Sequence, residues 1–171
     1  MENFTNQKIQ TDDFPAYQEV ELTPLEPNYW KVVLINSLLF LVFFGIGIAL
    51  YFYYQPEISS PYLIVTGMYI IFCIVYLVIK FFGFKSKKYA FREHDVIYQS
   101  GFITTSTSVI PYNRVQHVTL FEGFISKQFD LAKVGIFTAG GKGSDIEIPG
   151  IQKEEAERIK TLLTAKILRQ L

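Results

Sequence analysis

Few residues of this chain have types that could carry out chemistry, and their spacing decides how far each can go. His94 and His117 are its two histidines. Neither has a second histidine at ligand spacing or a cysteine nearby, so a metal site would need carboxylates supplied by the fold. Cys73, the one cysteine, lies in an apolar stretch and reads as a packing residue, which excludes a disulfide framework. Gly140 to Ser144 superficially suggests a phosphate loop. It lacks the order of Gly, four residues, Gly, Lys and Ser or Thr, and it bridges strand-like segments, so it reads as a glycine hairpin tip. No serine sits in a nucleophile elbow. Arg114 follows a proline turn beside Asn113, Gln116 and His117, groups able to contact an anion. The plainer use of its guanidinium, donation to turn carbonyls, is the reading adopted. The chain is expected to be no enzyme, with no catalytic residue, metal or cofactor.

The elements around these residues are dominated by two uncharged apolar runs, Val32 to Tyr54 and Pro61 to Ile79. At about 1.5 Å per residue they give helices of roughly 35 and 28 Å, enough to cross a hydrocarbon core of about 30 Å. The connector, residues 55–60, is so short that both flanks must lie on one side of the bilayer. The expected organisation is an extended tail over residues 1–31, spans over 32–54 and 61–80, and a polar domain over 85–171. A signal peptide does not fit, because the leader is acidic and the first run is too long. Lys31 precedes the first span and Lys80, Lys85, Lys87, Lys88 and Arg92 follow the second, whereas the connector holds one acid, Glu57, and no base. That asymmetry predicts an inner-membrane protein with both termini cytoplasmic. Neither span has a charged residue in its middle, which argues against an ion pathway. Gly45 and Ala49 give the first span a small-residue face for the second span or another subunit.

The chain is formally neutral, yet residues 1–31 hold six acids and two bases while residues 80–171 hold fourteen bases and nine acids. A basic domain beside anionic headgroups gains about 1 kcal/mol per Lys or Arg close to the surface. Lys85, Lys87, Lys88, Arg92 and Arg114 are therefore the candidate contacts for lipid or partner, although the positive-inside bias alone would produce the same cluster after the second span. Nucleic acid is an unsuitable partner, since the bases are dispersed.

From Lys88 onward the alternation is that of half-buried strands. Six are expected: 88–93, 96–102, 104–110, 115–122, 132–138 and 145–148, the last ended by Pro149 and Gly150. Gly123 to Phe129 reads as a turn or a single helical turn. Ala156, Ile159, Leu162, Leu163 and Ile167 then recur at helical spacing, with Glu154 and Glu155 early and Lys166 late, as a helix dipole favours. The fold class is α+β: a two-helix transmembrane hairpin, then a curved antiparallel sheet closed by a C-terminal amphipathic helix. The prolines before the first span leave the string Val20 to Tyr29 free to lie along the domain or the membrane.

These residues resemble the bacterial pleckstrin-homology-like membrane proteins of the YdbS type. The resemblance rests on Tyr89-x-Phe91, Ile110-Pro111, Arg114-Val115-Gln116-His117-Val118, Leu131-Ala132, Thr138-Ala139-Gly140-Gly141 and Ile148-Pro149-Gly150. It covers residues 85–160 closely, and the preceding hairpin matches the small members. Asp130 stands where such proteins usually carry Gly, and Asp is among the few residues that tolerate a left-handed backbone. The resemblance implies a pleckstrin-homology-like sheet of six or seven strands and no reaction. It also implies a larger pleckstrin-homology-like membrane protein as partner, with a homo-oligomer or membrane lipids as the other choices. Two functions are expected from this: an interaction subunit of an envelope complex, or a sensor of anionic lipid.

Overall fold

The computed structural model describes residues 20–55, 61–138 and 146–168. Two long helices, α1 (Tyr29–Tyr54) and α2 (Tyr62–Lys85), form the hairpin. Both are long and apolar enough to cross a membrane, and no residue of α2 is buried inside the protein. Such an apolar surface has no place in water, which makes the chain a membrane protein. α1 starts three residues before its expected span and α2 ends five residues after its own, because Tyr29, Trp30, Phe81, Phe82 and Phe84 continue the helical turns with interfacial aromatics, whereas the other two ends fall within one residue of the expected bounds. Most of the expected connector lies outside the described residues, as does the tip at 140–144.

The soluble part contains β1 (Thr23–Pro24), β2 (Lys88–Phe91), β3 (Asp95–Ser100), β4 (Ser106–Pro111), β5 (Val115–Phe121), the short α3 (Phe124–Lys127), β6 (Leu131–Thr138), β7 (Ile146–Gln152) and α4 (Lys153–Leu168). They form two antiparallel sheets, β1-β2-β3-β4 and β5-β6-β7, where the sequence suggested one curved sheet. Val96, Val134, Ile136 and Ile148 lie fully buried in the core that the two sheets share, with Tyr112. From α4 come Ala156, Ile159 and Leu163, at the spacing that places them on one face.

The segment before α1 is part of this domain. Thr23 and Pro24 pair with Tyr89 and Lys88, Leu25 is 3% exposed within the core, and the Glu26 amide donates to the Gly150 carbonyl at 3.0 Å. Of the two positions open to this string, the domain surface is the one it takes. Pro149 and Gly150 do not end the last strand. Ala132 faces Ile151 and Val134 faces Ile148, so β7 has an extra residue, a bulge. Gly150 has φ +65 and lies against the Tyr29 ring, where a Cβ would stand 2.4 Å from Cγ. Asp130 is left-handed at φ 53, as its place in the family pattern predicts.

Strand alternation gives the domain two ends. β2 starts two residues after α2, so residues 101–105, 122–130 and 152–153 lie at the helix end. Residues 92–95 and 112–114 lie at the far end.

Candidate functional site

At the helix end, the first turn of α1 and the last turns of α2 lock through aromatic rings. Trp30 meets Phe81 edge-on at 5.1 Å and Phe84 at 5.9 Å, and Tyr29 meets Phe84 at 6.2 Å. Cations ring this cluster. Lys80 lies over Tyr76 at 5.2 Å, Lys85 over Phe81 at 4.6 Å, and Lys31 over Phe129 at 6.0 Å. Lys88 is exposed and Lys87 half-buried. Burial, and then the charge of Lys80, push the Lys87 ammonium below its ordinary pKa. An anion arriving here would offset the repulsion from Lys80.

The five basic residues singled out in the sequence do not form one site. Lys85, Lys87 and Lys88 belong to this collar, whereas Arg92 and Arg114 stand at the far end of strands four to seven residues long. That separation is about 13 to 23 Å, more than a Debye length of about 10 Å at 0.1 M salt. Arg92 is a clamp: its guanidinium takes both carboxylate oxygens of Asp95, with Nε to Oδ1 at 2.6 Å, and its carbonyl accepts the Tyr112 hydroxyl at 2.6 Å. Lys166 donates to the Glu93 carbonyl and covers the Tyr112 ring. Arg114 ends a 3-10 turn over Tyr112–Arg114 and is exposed. Among the described residues it has no hydrogen-bond or ion-pair partner, so the expected donation to turn carbonyls does not occur.

The other candidates have structural uses. His117 stacks on Phe137 at 4.2 Å, and His94 is exposed beside Glu93 at 4.0 Å. Among the described residues no three His, Cys, Asp or Glu come together as a metal site would require.

One feature escaped the sequence reading. Tyr69, within α2, donates its hydroxyl to the Leu41 carbonyl of α1 at 2.6 Å, filling the space over Gly45, where a Cβ would stand 2.9 Å from that oxygen. The small-residue face thus serves the hairpin itself. Beside it, towards the C-terminal end of α1, the helices leave a largely apolar cleft of about 520 Å³ lined by Gly45, Ala49, Phe52, Thr66 and Tyr69. A tyrosine facing a glycine across two spans was the available signal.

The Bacterial PH domain family model matches residues 35–167. The UPF0699 transmembrane protein YdbS of Bacillus subtilis (strain 168) is 27% identical over 142 residues, which cover 82% of this chain and 87% of that protein. No solved structure matches the chain. With the match running through most of the hairpin and the domain, and with two sheets closed by α4 behind the paired helices, this chain belongs to the bacterial PH domain family.

Proposed function

We propose that the protein is a non-enzymatic, membrane-anchored interaction module, a subunit of an envelope complex with a larger PH-like membrane protein, and that its domain faces the cytoplasm. The observation that carries this reading is the open edge of β4. Ser106–Pro111 pairs with β3 on one side and with no strand on the other among the described residues. Natural edges are blunted by lysines, prolines, bulges or covering loops, and the proline of this strand, Pro111, is its last residue. This one carries no charged residue, and Val109 on it is 42% exposed. Such an edge accepts a strand from a partner by main-chain pairing. The basic residues at the helix ends support the cytoplasmic placement.

The test is a photocrosslinking residue at Val109 in the native membrane, with Lys160 on the outer face of α4 as the comparison site. A single adduct with a larger membrane protein, formed at Val109 and not at Lys160, supports the complex, and an adduct with a second copy supports a homo-oligomer. Equal, weak adducts at both positions would end the proposal.

A second reading, sensing of anionic lipid, is favoured by the mutual repulsion of Lys80 and Lys87. It draws on Lys80, Lys85, Lys87 and Lys88 and not on Arg92 or Arg114, which stand at the far end. Anionic headgroups would raise the Lys87 pKa and slow its acylation by amine reagents. Equal acylation rates in neutral and anionic vesicles would refute it.

A further inference from the structure

Three large apolar side chains point into solvent at the helix end of the domain: Phe102 at 50%, Ile103 at 86% and Phe124 at 86% exposure. Scattered apolar residues on a surface need no explanation, but these three are neither scattered nor at random depth. Phe102 and Ile103 form the tip of the β3–β4 connection. Gly101 turns the chain there at φ +105, with a would-be Cβ 2.0 Å from the Thr104 carbonyl oxygen, so the reversal is tight and throws the next two residues outward. Tips of this kind are ordinarily polar. The Phe102 ring stacks on Phe82 at 4.7 Å. Phe82 is on the outward face of the last turns of a membrane helix, so its stacking partner is at the same depth.

Phe124 reaches that level independently, from the other sheet. It opens α3, which packs against α1, and Phe129 just beyond lies under Lys31 at the start of the first span. The tips therefore flank the aromatic and lysine collar through which the hairpin leaves the bilayer. Large apolar side chains with basic neighbours are the composition of surfaces that sit in the headgroup and acyl boundary.

We propose that Phe102, Ile103 and Phe124 insert into the lipid leaflet on the domain side, so that the domain is docked on the bilayer at two points besides its helices. The occupant is the acyl boundary itself, whatever the headgroup charge, and the inference needs neither the β4 edge nor recognition of anionic headgroups by the lysines that the tips flank.

Site-directed spin labelling of the full chain tests it, in a Cys73→Ser background reconstituted alone into phosphatidylcholine vesicles. Nitroxides at Ile103→Cys and Phe124→Cys are expected to collide with oxygen severalfold more, relative to a water-soluble nickel chelate, than a nitroxide at Asn113→Cys at the far end. In the unlabelled protein, amide exchange across residues 101–106 is expected to be slower than in Ile103→Asp. Nickel collisions at 103 and 124 equal to those at 113 would overturn the proposal. So would shielding from both reagents, which means a second copy covers the tips.

Discussion

Replacing Leu25 by Ala probes the junction between the N-terminal segment and the domain. Leu25 is 3% exposed and, among the described residues, is the one core side chain that the segment before α1 contributes. Among the described residues the segment is held besides by the two-residue pairing of β1 and the Glu26 to Gly150 hydrogen bond. Buried Leu→Ala changes cost about 2 to 5 kcal/mol, and the low end applies where the chain can relax around the gap, as at the rim of a domain. With 2 to 3 kcal/mol removed, the undocked population of the segment rises roughly 30- to 140-fold, at tenfold per 1.4 kcal/mol. Hydrogen exchange in the membrane-reconstituted protein reads this directly. Amides of residues 23–28 should speed up by that factor, while those of β6, whose core contacts are far more numerous, change much less. A change under about twofold across 23–28 would refute the argument, as would an equal acceleration in β6, which would make Leu25 part of one global unit.

Gly150→Ala forces a left-handed alanine into the Tyr29 ring and should cost about 2 to 5 kcal/mol in urea unfolding. Adding Tyr29→Ala should recover the steric share, and no recovery would count against the contact. Asp130→Gly should be neutral or stabilising by up to about 1 kcal/mol, because glycine takes φ 53 without strain, whereas Asp130→Val should destabilise; a destabilised glycine variant would contradict this. Burial raises the hydroxyls of Tyr98 and Tyr112 to about 12, and Tyr89 rises as well. Since the folded state holds these protons more tightly than an exposed tyrosine of pKa 10.0, their contribution is complete below pH 10 and fades as pH climbs towards 12. Absorbance titration of Tyr98→Phe and Tyr112→Phe should each remove one late-titrating group. Tyr69→Phe should weaken the helix pair by about 0.6 kcal/mol, the mean for hydrogen bonds between spans. An unchanged unfolding curve in detergent would count against that bond.

Much of this architecture was legible because its signals are local. Uncharged runs report spans, alternation reports strands, and the backbone tolerance of Asp reports the turn at Asp130. What stayed hidden depends on residues distant in sequence. Nothing near Leu25 announces that its partners follow the second helix, and a proline beside a glycine normally ends a strand unless the facing strand accommodates a bulge, as β6 does at Pro149 and Gly150. For the basic residues, proximity in sequence misled. Arg92 stands only four positions after Lys88, but four positions of extended chain carry it from the collar to the far end. The exposed tips were invisible for a similar reason, since Phe102 reads as the end of an alternating strand until its ring is found on Phe82.

The pairing of β1 with β2 makes the whole hairpin an insertion between two neighbouring strands of one sheet, with about sixty residues between Pro24 and Lys88. Both strands must therefore emerge on the same side of the bilayer before the sheet can close. A nascent chain in which only one helix crosses leaves β1 and β2 separated by the full thickness of the membrane, with Leu25 stranded away from its core. Completion of the domain is thus conditional on correct insertion, and a mis-threaded molecule carries an unfinished sheet that cellular proteases can recognise.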